Sequence, residues 1–120
     1  MTRILIGLIC LSASLAFAQS EVTHNEKDWK VSLVPLVAAH GLDTASSWGY
    51  VETNPILAGS NGRFDARSAA IKFSFVGVAV VAEYFLMKRH PKWAKLFARA
   101  NNANAILTTG FAVRNFAVTR

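Results

Sequence analysis

Cysteine occurs once in this chain, at Cys10, inside an N-terminal apolar run of the kind that signal peptidase removes. A chain relieved of that run has no thiol. This excludes disulfides, thiolate metal centres and cysteine nucleophiles together, even in a compartment where disulfides form. Charge is also scarce: 17% of the residues are charged and only 7 are acidic. Strong site signatures are missing as well. There is no His-Glu-x-x-His, and Gly59-Ser60-Asn61-Gly62 lacks both the Gly-Lys-Ser ending and the preceding strand of a phosphate loop. Neither a dinucleotide fingerprint nor a nucleic-acid-binding signature is present. No repeat or low-complexity segment interrupts the chain.

Apolar residues are plentiful. They make up 52% of the chain, and the mean hydropathy of +0.30 lies on the apolar side of soluble averages. At 120 residues there is room for one domain. A membrane protein is the leading class.

The N-terminus reads as an export signal. Arg3 gives a minimal positive region, Ile4 to Phe17 form the apolar run, and Ala16-Phe17-Ala18 places small residues where the peptidase inspects them. Cleavage after Ala18 leaves a chain beginning at Gln19. The run is short of the roughly 20 residues that span a bilayer, which counts against an uncleaved anchor. Leu8-Ile9-Cys10 is no lipoprotein box, since Ile9 stands where a small residue is needed.

Without Arg3, 12 basic residues face 7 acidic ones, a net charge of +5. Lys88, Arg89, Lys92, Lys95 and Arg99, with His90 among them, form a tract containing no acid. Export argues against nucleic acid as its partner. A basic tract facing anionic lipid fits better.

Residues 19–30 form a polar lead-in, with Trp29 as an interfacial aromatic. Three helices are expected at about 31–47, 68–87 and 93–118, with Pro35 in the first turn of the first. The connection from Gly49 to Arg67 is rich in turn residues, and Pro91 punctuates the basic tract. Within the helices the polar residues form narrow stripes. Lys72 and Glu83 fall within roughly 20° of one another, and Asn101, Asn104, Thr108 and Asn115 lie within about 60° of a common line. His40, Asp43, Thr44 and Ser47 follow the i, i+3, i+4, i+7 rule. Broad apolar faces with narrow polar stripes favour lipid outside and a polar seam inside. The expected fold is all-α: a small membrane bundle of about three helices, spanning residues 31–118 after a signal peptide at 1–18.

Asp43-Thr44, Gly49, Glu52-x-Asn54-Pro55, Lys72 near the start of the next helix and Asn115 in the last resemble a family of small bacterial integral membrane proteins classed as a domain of unknown function. The similarity covers about residues 31–118, and Glu52 to Pro55 is its most specific element. The resemblance implies a fold and no activity. A bacterial inner-membrane location follows from it and from the signal.

Candidate site residues are His40, Asp43, Glu52, Asn54 and Glu83. His40 and Asp43, one turn apart, could ligate a metal with Glu52 or Glu83; the plainer reading is a helix end at a wet boundary. Ser46 or Ser47 with His40 and Asp43 has the composition of a hydrolytic triad, but one short helix does not provide triad geometry. Glu83, a carboxylate amid apolar residues, either carries protons or fixes helix register through His40 or the asparagines. Glu52 to Pro55 reads as a turn in which Glu52 hydrogen-bonds the preceding helix end.

Three readings follow: a structural or interaction protein in the membrane, with lipid and other membrane proteins or further copies as partners; a membrane-embedded enzyme or proton- or metal-handling subunit using His40, Asp43, Glu52 and Glu83; and a soluble exported helical protein. The first is preferred, with no cofactor. If all three helices span and the signal is cleaved, the basic tract falls on the exported side, against the positive-inside tendency; either the first helix is re-entrant or interfacial, which leaves the tract in the cytoplasm, or the bias is overridden.

Overall fold

The computed structural model describes the backbone of residues 2–118 and the side chains of residues 24–118. The protein is all-α, with α1 (Thr2–Ser47), α2 (Ala66–Arg89) and α3 (Trp93–Val118). Helix α1 begins far earlier than the expected residue 31. The lead-in at 19–30 is helical, because Asn25 and Trp29 belong to the same packed face as Ser32 and Leu36. Its exposed side is supported by one-turn pairs, Lys30 with Glu26 at 3.0 Å and His24 with Asp28 at 3.7 Å. Pro35 consequently lies inside the helix rather than in its first turn. Its missing N–H removes one intrahelical bond, which packing on both sides offsets. The expected cleavage point after Ala18, the apolar run and Cys10 lie outside the residues whose side chains are described.

The core is a seam between α1 and α3. On α1 the inward positions are Asn25, Trp29, Ser32, Leu36, Ala39, Asp43 and Ser46; on α3 they are Ala94, Ala98, Asn101, Ala105, Thr108, Ala112 and Asn115. Both sets alternate steps of four and three, the heptad rhythm of helices packed knobs-into-holes. Two side-chain hydrogen bonds fix the register. Asn101 Nδ2 donates to Ser32 Oγ and Asn115 Nδ2 to Ser46 Oγ, each at 3.3 Å and each across 69 residues. A constant offset means that α1 and α3 run parallel, so Trp29 lies level with Ala98 and Leu36 with Ala105. The seam spans residues 25–46 on α1, roughly 32 Å at 1.5 Å per residue. Alanine and serine at these positions let the two backbones approach closely.

Helix α2 runs antiparallel to both and is held by long side chains. Met87 joins Trp29, Ala94 and Ala98 in a cluster of buried apolar residues, with Leu33, Val80 and Phe97 packed against it. Its start is capped by Asp65, whose side chain accepts from Ser68 N–H at 3.1 Å while Ser68 Oγ accepts from Asp65 N–H at 3.0 Å. The expected loop is a short folded ribbon. Gly49 N–H donates to Phe64 O, Phe64 N–H to Tyr50 O and Glu52 N–H to Gly62 O, all within 3.0 Å. Gly49 and Gly62 take φ of 79° and 71°, the left-handed region that glycine enters without steric cost. Gly59 is held by crowding instead: a Cβ there would meet Asp65 Oδ2 at 2.2 Å.

Two outcomes test this packing. Ala94→Leu overpacks a fully buried seam position and is expected to cost about 1–3 kcal/mol, lowering the thermal midpoint in detergent, whereas Ile106→Leu on the outer face leaves it unchanged. The hydrogen bonds from Ser68 and the Arg67 backbone, with the Arg67 charge, hold the Asp65 carboxyl below its ordinary value. Its contribution is therefore fully present above an unfolded pKa of about 3.9 and fades as pH falls through the lower folded value. The midpoint of the wild-type chain is expected to fall across that acid window more steeply than that of Asp65→Asn, and parallel acid profiles would count against the cap.

Candidate functional site

Polar side chains meet inside the bundle at three levels. The lowest is built on Glu83. Its Oε2 accepts from Trp29 Nε1 at 2.7 Å and from Asn101 Nδ2 at 2.9 Å, tying α2 to both other helices. Ser32 completes the level, donating to Trp29 O at 2.6 Å and accepting from Asn101. Trp29 is thus no interfacial aromatic: it is 4% exposed and donates to a carboxylate in the core. Of the two partners anticipated for Glu83, the asparagine stripe is the one it meets.

About three turns higher along α1, Asp43 forms an ion pair with Lys72 of α2. Asp43 therefore bridges helices rather than ending one. Beside this pair a cavity of about 320 Å³ is lined by His40, Asn54, Ile56, Leu57, Lys72, Phe75, Val76, Ala79 and Asn104. His40 Nδ1 is buried there without a protein hydrogen-bond partner, as is the nearby Thr44 hydroxyl.

The top level lies under the ribbon. Ser46, Ser47, Tyr50, Glu52, Phe64 and Asn115 contribute to a second cavity of about 290 Å³. Asn115 Nδ2 donates to Ser46 and Ser47 at 3.3 Å, while Ser46 Oγ donates to Asp43 O at 2.9 Å. That last bond engages the Ser46 hydroxyl with backbone, and His40, Asp43 and Ser46 follow one another along a single helix, so no triad arrangement forms. Glu52 does not reach back to the helix end. Its Oε1 accepts from Asn54 N–H at 2.8 Å, and Asn54 Oδ1 from Ile56 N–H at 3.0 Å, an Asx-type turn closed within itself.

The four acidic and imidazole candidates do not converge. Glu83 sits level with Trp29 and Ser32, and the eight residues from Ser32 to His40 amount to about 12 Å of helix. Glu52 occupies a different cavity from His40. Among the described residues no group of three or more His, Cys, Asp or Glu could hold a metal ion. The arrangement can fix helix register and offers hydrogen-bond donors to a cavity.

The basic tract gathers at the opposite end from the ribbon. Lys88 lies 3.8 Å from Glu26 and over the Tyr84 ring at 5.3 Å, while Arg89, Lys92, Lys95 and Arg99 are exposed. His90 stacks on Trp93 at 4.7 Å. No family model, curated protein or solved structure matches the chain.

Sequence reasoning did not reach Trp29, Ser32 or Asn25 as interior residues. A signal was there: the four-three spacing of small residues from Ala94 to Asn115 marks a seam, and the same rhythm runs back from Ser46 through the polar lead-in.

Breaking the ion pair on one side strands a charge. Lys72→Met alone is expected to cost about 3–5 kcal/mol, visible as lost abundance and a lower thermal midpoint, and adding Asp43→Asn should restore most of it. Strictly additive losses would show that the two side chains do not interact. Glu83→Ala leaves two donors unpaired at about 1–3 kcal/mol each and should be much worse than Glu83→Gln, which keeps an acceptor oxygen; equal effects would remove the carboxylate from its place in the core.

Proposed function

We propose that this chain is a small integral membrane protein of the bacterial inner membrane, acting as a structural or interaction component rather than as an enzyme. The observation that carries the reading is an inverted distribution of polarity. Val34, Val78 and Ile106 are each about 70% exposed, and Phe75, Phe85, Leu107 and Phe111 point outward with them. Ser32, Ser46 and Ser68 are at most 2% exposed, with Asn101 and Thr108 also inside. In water such an exterior is a large unpartnered apolar surface. In lipid it is the favourable one, and small and polar residues are the ones that join helices there.

Lengths and rims agree. Helix α2 alone among the described helices is long and apolar enough to cross a membrane by composition. The α1–α3 seam of roughly 32 Å is close to the ~30 Å hydrocarbon core. Trp48 and Tyr50 are half-exposed at one end and Trp93 at the other, where aromatic belts sit. The basic tract beside Trp93 suits anionic headgroups. The resemblance of Asp43-Thr44 and Glu52-x-Asn54-Pro55 to a family of small bacterial membrane proteins points the same way.

Parallel α1 and α3 sharpen the question of orientation. The length of α1 along the full seam supports a spanning first helix over a re-entrant one. Residue 24 and the basic tract share one side, so cleavage after Ala18 commits that tract to the exported face, whereas positive-inside placement requires an uncleaved start.

An alkaline carbonate wash of membranes from cells expressing the full chain decides the main point. Retention in the pellet is expected; release into the supernatant would make the chain peripheral or soluble and remove the reading.

A further inference from the structure

We propose that the cavity beside His40 binds an uncharged, lipid-soluble molecule whose head bears carbonyl oxygens, of the quinone type. The cavity, about 320 Å³, is at the small end of the ~300–1,000 Å³ range of ligand pockets and has their usual make-up, apolar walls with a few convergent polar groups. Ile56, Leu57, Phe75 and Val76 supply the walls, with Phe75 offering an aromatic face.

The polar end is rich in donors and poor in acceptors. Asn54 Oδ1 accepts from Ile56 N–H, which leaves its Nδ2 group as a donor, while Asn104 is engaged with the Thr108 hydroxyl and with the His40 ring. Lys72 has three N–H bonds, and Asp43 engages one side of the ammonium. His40 Nδ1, buried without a protein partner, donates in one of its two neutral tautomers. Such a set is complementary to carbonyl oxygens.

Charge separates this head from an anionic one. Asp43 neutralises Lys72 within the pair, so a carboxylate or phosphate entering the cavity would lose its hydration without a free cation to meet it. A carbonyl head carries a smaller desolvation cost and still accepts. Phe75 and Ala79 also face the apolar exterior, so the cavity opens where a lipid tail would lie. That route rests on the membrane reading; the hydrogen-bonding chemistry does not.

The test uses purified full-length protein in nonionic micelles and titration calorimetry with a decyl-substituted benzoquinone, beside decanoate as the charged-head control. Saturable binding at one molecule per chain is expected for the quinone, with decanoate at least about tenfold weaker. Ala79→Phe, which places a ring at the mouth from an exposed position, and His40→Leu should each weaken the quinone by about tenfold or more. Should His40→Leu fail to fold, Ala79→Phe decides alone. Equal uptake by wild type and Ala79→Phe would mean partition into micelles and overturn the site, and decanoate binding as tightly as the quinone would overturn the uncharged head. The carbonate wash reads independently: a chain that washes off yet binds the quinone keeps this site and loses the membrane reading, and a retained chain that does not bind loses this site alone.

Discussion

Close contact between α1 and α3, at a constant offset of 69 residues, is the constraint on which the rest of the structure depends. Small side chains make the contact possible. Ala94, Ala98, Ala105 and Ala112 present so little bulk that Trp29 and Leu36 can be received by the facing helix, and Ser32 and Ser46 come within hydrogen-bond reach of Asn101 and Asn115. Parallel neighbours need a long crossing connection, and α2 with its ribbon supplies it. Helix α2 then lies across the pair, held by Glu83 at one level, Lys72 at another and Met87 at the end.

Because the seam is made of small and polar residues, the large apolar side chains are left to the outside. That division explains both the weak apolar core and the broad apolar exterior: among the described residues that are buried and hydrophobic, only Trp29, Leu36, Phe64 and Met87 are large. Hydrogen bonds between helices assume more of the task of specifying the arrangement. Glu83 is the clearest case, since one carboxylate oxygen satisfies a donor from each of the two other helices.

Much of the fold was legible in the residues. The Gly- and Asn-rich connection, the apolar run of α2 and the break at Pro91 set the three helices, and the narrow stripes of Lys72, Glu83 and the asparagines foretold an inward-facing polar seam. The polar stretch from Gln19 to Lys30 misled because hydropathy cannot see that Asn25 and Trp29 continue a packing face; only the partner helix makes that visible. Pro35 strengthened the error, marking a helix start where tertiary packing carries the helix through. The candidate site was legible as residue types but not as a constellation. Pattern placed His40, Asp43, Thr44 and Ser47 on one helix face, while the level at which α2 inserts Glu83 and Lys72 depends on register between distant helices, which no local spacing encodes.

Register is therefore the quantity to measure. In a Cys10→Ser background, Ser46→Cys combined with Asn115→Cys, and Ser46→Cys combined with Ala94→Cys, can be oxidised in isolated membranes and scored for intramolecular disulfide. Parallel packing of α1 and α3 predicts efficient cross-linking of the first pair and none of the second. Cross-linking of 46 to 94 in preference to 115 would mean an antiparallel pair and would contradict the account at its base.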